Sequence, residues 1–362
     1  HQPLKESLAL AIECGARVGL VDAASHGLLS GLIPGTRLFF ASHRPDTPRR
    51  RIATPGLVTI VGQPGAVLAV RGRRLRAVGD DLAIHLAASA SRVERTITLK
   101  ADQGYQDLTA LRRSALARTQ TVFPPLTPPA PLVENGTLIL IGGGGMPRGI
   151  IQRFVELAGG NQARIIVLPT AAPDPIPQRI RIAETFREIG AAQVHVLRAR
   201  DQQTVESDEY LNAFRGATGI WFGGGRQWRF VDAYAQTKVE PLMHDVLRRG
   251  GVIMGSSAGA SIQADYLARG NPLGNLNIMS EGYERGLGFL SGVAVDQHFT
   301  ERNRYQDMSS LVRQYPQLLG IGIDSSTAII VEKQIAEVVG RRGVHFYDAR
   351  KPRDGKSCLL YT

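Results

Sequence analysis

Gly251-Val252-Ile253-Met254-Gly255-Ser256-Ser257-Ala258-Gly259-Ala260 decides how the chain is read. An apolar run enters Gly255-Ser256-Ser257-Ala258-Gly259, and small residues follow. This is the pattern of a strand that turns sharply into a helix, with Ser257 at the apex of the turn. A serine held there stands above a sheet edge with its hydroxyl open to a ligand. Glycines two places before and two places after leave room for the crowded backbone. A helix over 261–268 is expected to follow. Its first N–H groups would point at a developing anion, with the Ala258 N–H as one donor. Small-residue turns also occur without catalysis, so the rest of the chain must supply the chemistry.

Outward from this stretch, short apolar runs alternate with amphipathic segments. Strands are expected at 137–141, 164–168, 194–197, 219–222 and 251–254, and helices at 149–158 and 178–188 among those between them. Continuous apolar strands alternating with helices imply an α/β fold, a mostly parallel sheet flanked by helices. Upstream lies Phe123-Pro124-Pro125-Leu126-Thr127-Pro128-Pro129-Ala130-Pro131. So many prolines can continue neither a helix nor a central strand. The expected organisation is a smaller basic β-rich domain at 1–122, a proline-rich linker at 123–131 and the α/β domain at 132–362. Strand-like runs at 57–61, 66–70 and 96–100 and a helix at 107–118 occupy the first. The run at 66–70 followed by Val78-Gly79 is echoed by 328–331 followed by Val339-Gly340, as a duplicated hairpin or as two ordinary ones.

The 362 residues are 43% hydrophobic and 21% charged with 40 Gly, which places the chain among globular proteins rather than disordered or fibrous ones. Its apolar runs are too short to cross a membrane as a helix. Two cysteines, Cys14 and Cys358, exclude a disulfide scaffold and a cysteine zinc cluster. One disulfide stays open, so cysteine usage assigns no compartment. The chain begins at His1 rather than Met, which reads as a mature or trimmed form, cytoplasmic or exported after loss of a leader. The net charge of +11 is uneven: 17 Lys+Arg stand against 9 Asp+Glu in residues 1–131, and 26 against 23 in the rest. A basic half can attract an anionic polymer or surface. No interleaved aromatics or nucleic-acid motif accompany the arginines, so a solvated face and no nucleic-acid partner are expected. The run Gly142-Gly143-Gly144-Gly145 fails as a dinucleotide fingerprint, because Pro147 or Arg148 falls where the third glycine belongs. There is no Walker lysine and no His/Asp/Glu set with ligand spacing, so neither cofactor nor metal is expected.

Ser257 needs a base. His298 has the best setting, since Val293-Ala294-Val295-Asp296-Gln297-His298 is a strand with a polar carboxyl end. Active sites of open α/β sheets gather at such ends. His195, inside an apolar strand, reads as a core residue and His244 as a surface one. Beyond His298, Arg302 and Arg304 can clamp a carboxylate. In Ile220-Trp221-Phe222-Gly223-Gly224-Gly225-Arg226-Gln227 the glycines let backbone N–H groups approach a substrate oxygen closely.

Taken in order, these clusters resemble the peptidase E / cyanophycinase family of serine peptidases, from about Gly136 to Tyr347. The likeness rests on Gly142–Gly145, Phe222–Gln227, Gly255–Ala260, Asp296-Gln297-His298-Phe299 with Arg302 and Arg304, and Gly322-Ile323-Asp324. The Asp-Gln-His-Phe stretch points to the cyanophycinase branch. The resemblance implies a sheet like that of class I glutamine amidotransferases, with Ser257 as nucleophile and His298 as base. It implies N–H groups of Ala258 and of Gly224 or Gly225 as oxyanion donors. It further implies Gln227, Asp296, Gln297, Arg302 and Arg304 as substrate-binding residues. Cyanophycinases release β-Asp-Arg dipeptides from cyanophycin, a poly-aspartate carrying arginine on its side chains.

The chain departs from that pattern twice. Asp307 stands where an arginine is usual, which weakens a carboxylate grip. Ser325 stands where a glutamate is usual, which removes the family's acidic partner for the histidine. Asp324 is the nearest candidate for that role, with Glu281 and Asp265 behind it. Asp296, two residues before His298 on one strand, shares its face. The expected activity is hydrolysis of cyanophycin or related β-aspartyl peptides by a serine peptidase, with a homodimer as the expected assembly. The alternatives are a catalytically impaired binding relative, or a peptidase or esterase for another acidic substrate.

Overall fold

A computed structural model describes residues 18–20, 36–40, 53–62, 66–89, 92–353 and 356–361, so Cys14 lies outside the described residues. The chain forms two compact units, His1–Val122 and Phe123–Thr362. In the first, β1 (Val18–Leu20), β4 (Val67–Arg71), β5 (Arg74–Val78) and β8 (Gln106–Asp107) make one four-stranded sheet in the order β1-β4-β5-β8. A second has the order β2-β3-β6-β7, from β2 (Thr36–Phe40), β3 (Val58–Gly62), β6 (Leu82–Leu86) and β7 (Arg95–Leu99). Alternation turns Leu75 and Ala77 of β5 and Leu82, Ile84 and Leu86 of β6 into one core with Val58, Ile60 and Leu68. Helix α1 (Leu108–Ala117) adds Leu108 and Leu111 to that core, and its N-cap Asp107 accepts from the Ala110 N–H.

The second unit carries a seven-stranded sheet whose spine is β9 (Val133–Ile141). β10 (Arg164–Leu168), β11 (Gln193–Val196), β12 (Gly219–Phe222) and β13 (Val252–Ser256) complete a parallel set in the order β11-β10-β12-β13-β9. β17 (Thr327–Lys333) and β18 (Ile335–Gly340) extend it antiparallel beyond β9. Leu138, Ile139, Leu140 and Ile141 are all fully buried, as a strand covered on both faces requires. One face packs on α2 (Ile150–Leu157) and α3 (Arg181–Ile189), where Phe154 and Phe186 meet Trp221 of β12.

His195 is exposed rather than buried, because β11 is the edge strand of this sheet. His244, expected at the surface, is half-buried in a helix (Val239–Arg248), with Nε2 2.8 Å from the Leu287 carbonyl and its ring on Phe289.

A second sheet in this unit does not follow from the apolar pattern. Its order is β14-β15-β16-β19-β20, from β14 (Ala264–Tyr266), β15 (Leu290–Gln297), β16 (Leu319–Ile323), β19 (Val344–Arg353) and β20 (Lys356–Tyr361). The helix expected over 261–268 is replaced by a single turn at Ala258–Ser261 followed by β14. Tertiary packing overrides local propensity here. Tyr266 is fully buried, stacked on Phe123 and packed against Tyr315, and β14 pairs in parallel with β15. The proline-rich stretch follows Phe123 along this unit: Pro125 accepts from the Gln317 amide, and Gly292 has no room for a Cβ beside the Pro129 carbonyl.

Candidate active site

Two sheets meet at the carboxyl end of β9. The Ser257 N–H donates to the Ile141 carbonyl (2.9 Å), and the His298 N–H donates to the next carbonyl, Gly142 (2.8 Å). Ser257 follows β13 of the larger sheet and His298 follows β15 of the smaller one. Neighbouring peptide groups at the end of β9 thus hold both residues, and Ser257 Oγ lies 3.0 Å from His298 Nε2. Both are half-buried.

The local backbone is strained as this placement demands. Ser257 sits at φ 54, ψ −114, and His298 at φ 51, conformations that L-residues rarely adopt and that the surroundings must hold in place. The glycines of the turn are needed for contact. A Cβ on Gly255 would collide with the Gly259 carbonyl, and one on Gly259 with the Phe222 carbonyl. At Gly143, with φ 104, a Cβ would overlap the His298 imidazole itself. Behind His298, Phe299 is fully buried and lies close enough to Gly322 to exclude any side chain there.

His298 Nδ1 lies 2.8 Å from Ser325 Oγ. Asp324, expected as its acidic partner, turns away. Its carboxylate accepts from the N–H groups of Thr300 (2.9 Å) and Gly343 (3.2 Å) and lies 3.5 Å from His345 Nε2. Burial opposes the Asp324 charge, yet those hydrogen bonds outweigh it and hold its pKa below the usual carboxylate value. Asp265 is engaged elsewhere too, accepting from the Gly292 N–H. The His298 pKa is lowered, first by burial and then by Arg302 and Arg304, with Glu301 and Asp296 pulling the other way. The ring is therefore neutral near pH 7. With a proton on Nδ1 facing Ser325, Nε2 offers its lone pair to Ser257.

Most residues expected to bind substrate are built into the protein. Asp296 is fully buried and accepts from Arg269 Nε (3.0 and 3.1 Å) and from Arg304 Nη1 (2.6 Å). Arg304, 3% exposed, also donates to the Gln297 carbonyl. Burial lowers its pKa to about 10 against the opposing pull of Asp296. Gln297 Oε1 accepts from Ser261 Oγ (2.5 Å), tying β15 to the turn after Ser257. Gln227 donates to the Ala268 carbonyl. Of the five expected substrate-binding residues, Arg302 alone is exposed.

Arg269 sits in no motif that marks it in the sequence, although it anchors this cluster. Besides Asp296 it holds Asp307 (2.6 Å) and the carbonyls of Asn275 and Leu276. Burial works against its charge, and the two aspartates outweigh that and raise its pKa. Asp307 is thus paired with Arg269 within the protein, although its side chain stays 43% exposed. No signal short of the fold links 269 to 296 and 307. Of the three glycines after β12, Gly224 stands beside the serine, where an ideal Cβ would lie 3.5 Å from Ser257 Cβ, while Gly225, at φ 139, leaves no room for a Cβ against the Ala171 carbonyl.

A hydroxyl on a strained strand-to-helix turn, with an imidazole lone pair on it, defines a serine-type hydrolase. The chain belongs to peptidase family S51, whose model matches residues 138–339, and it is a serine-type peptidase. It is 33% identical over 204 residues to the cyanophycinase of Geminocystis herdmanii, covering 56% of this chain and 75% of that one. It is 33% identical over 223 residues to the cyanophycinase of Synechococcus elongatus, covering 60% and 69%. Among solved structures, a peptidase from an acI-B1 actinobacterium aligns with 62% of this chain and 97% of its own at 21% identity and a TM-score of 0.47. Among the described residues no helix is long and apolar enough to cross a membrane.

Proposed function

We propose that the chain hydrolyses cyanophycin, or a closely related β-aspartyl peptide, to β-Asp-Arg dipeptides through an acyl-enzyme on Ser257. The observation that carries this reading is the 3.0 Å approach of Ser257 Oγ to the Nε2 of a neutral His298 on the strained turn. The relatives named as cyanophycinases support the choice of substrate. His298 takes the Ser257 proton as the hydroxyl attacks the peptide carbonyl. N–H groups of Ala258 and of Gly224 or Gly225 receive the oxyanion, and loss of one such donor typically slows turnover by about 10²–10³. His298 then protonates the leaving amine, and water hydrolyses the ester. Ser325 Oγ accepts a hydrogen bond from the His298 Nδ1–H and keeps the ring in the working tautomer. Arg302, exposed one turn from His298, is the cation for an aspartyl carboxylate of the substrate. In this reading Gln227, Asp296, Gln297 and Arg304 shape the site from behind. Residues 1–122 form a separate basic domain, joined through 123–131.

Incubation of the full chain with cyanophycin, followed by mass analysis, should yield β-Asp-Arg. Ser257→Ala should lower the rate by about 10⁴-fold or more. Product release unchanged by Ser257→Ala would end the assignment.

A further inference from the structure

We propose that Glu301 is the acidic positioning residue of this active site, acting on His298 through Ser325. The proposal rests on the reading of Ser257 and His298 given above. Two other carboxylates around His298 are already committed: Asp296 to Arg269 and Arg304, and Asp324 to Thr300 and Gly343. Glu301 is different. Both its carboxylate oxygens accept from the Ser325 N–H (3.2 and 3.3 Å), and the hydroxyl of that same serine meets His298 Nδ1. Arg342 also pairs with the carboxylate, at 3.2 Å. The Glu301 side chain keeps about a quarter of its surface exposed, at 26%. The fold brings these groups together from three places: the turn after β15, the turn before β17, and the loop after β18.

Two consequences follow for the reaction. Glu301 fixes the peptide that carries the Ser325 hydroxyl, and so fixes the acceptor that selects the His298 tautomer. Its negative charge also offsets Arg302 and Arg304 when His298 becomes an imidazolium during attack. No proton passes to Glu301; the Nδ1 proton stays on the ring, shared with Ser325 Oγ. The charged groups that act on His298 are Arg302, Arg304, Glu301 and Asp296. Of the two acidic ones, Asp296 is locked between arginines, which leaves Glu301 as the adjustable charge.

The test uses the full chain and a fluorophosphonate probe, whose rate of reaction with the active-site serine is measured across pH. Labelling of wild-type protein should have its acid midpoint below the ordinary imidazole pKa. Glu301→Gln keeps an oxygen for the Ser325 N–H and removes the charge. It should lower the plateau rate about five- to tenfold and move the midpoint to still lower pH, because a cause that raises the His298 pKa is gone. Glu301→Asp, which keeps the charge, should restore the midpoint. Ser325→Ala should slow labelling, and adding Glu301→Gln to it should cost less than Glu301→Gln costs alone. A glutamine variant with the wild-type plateau and midpoint overturns the proposal, as do single effects that simply multiply. Loss of labelling in Ser257→Ala shows that Ser257 is the residue read out; labelling of that variant at the wild-type rate removes the underlying reading as well.

Discussion

The Ser257–His298 pair and the Arg269–Asp296–Arg304 cluster both depend on β15, since Asp296 lies on it and His298 directly follows it. They differ in what surrounds them. Ser257 and His298 are half-buried, strained in backbone and joined by one hydrogen bond between them. Asp296, Arg269 and Arg304 are buried to within a few per cent and already hold one another or neighbouring carbonyls. The first arrangement stores conformational strain and leaves a reactive atom open. The second commits its charges chiefly to one another. Ionisable residues beside the histidine proposed as base are thus not all expected to take part in its chemistry; exposure and the number of existing partners separate the two kinds.

Three substitutions test that division. Asp296→Ala leaves the buried Arg304 guanidinium without its carboxylate and Arg269 with Asp307 alone, and should lower stability by about 3–5 kcal/mol. A denaturant midpoint that does not move would show the cluster to be less tightly coupled than its hydrogen bonds indicate. Gly143→Ala places a methyl group where the His298 ring lies and should reduce labelling of Ser257 by about 10²-fold with only a modest change in melting temperature. Unchanged labelling would mean that the ring tolerates displacement from Ser257. The smallest effect is expected at Arg302. Arg302→Ala should raise KM for a β-aspartyl substrate about tenfold while leaving the melting temperature alone. If Arg304→Ala gave that kinetic signature instead, the split between exposed and structural arginines would be reversed.

Much of this layout is legible in the order of the amino acids alone. The runs at 164–168 and 219–222 coincide with β10 and β12, because an apolar strand covered on both faces carries its own boundaries in its flanking polar and glycine residues. The turn around Ser257 is readable because crowding leaves few residues other than glycine at 255 and 259. What stays hidden depends on contacts between distant parts of the chain. The direction of the Asp324 carboxylate is set by the Gly343 N–H, nineteen residues on, and by Thr300. The replacement of a helix by β14 depends on Phe123 and Tyr315 closing over Tyr266. Residues such as Gln227 and Arg304 have the chemistry of ligands, and only packing reveals that the protein itself uses them.

The consecutive carbonyls of Ile141 and Gly142 have a mechanical consequence. Since the adjacent carbonyls of one dipeptide hold both the serine and the histidine, the gap between Ser257 and His298 is inherited from standard peptide dimensions. Slow sliding of one sheet over the other would leave that gap largely intact, whereas a twist of the single peptide plane joining these two residues would open it. The Ser257–His298 spacing is thereby insulated from whole-body breathing and exposed to one local rotation.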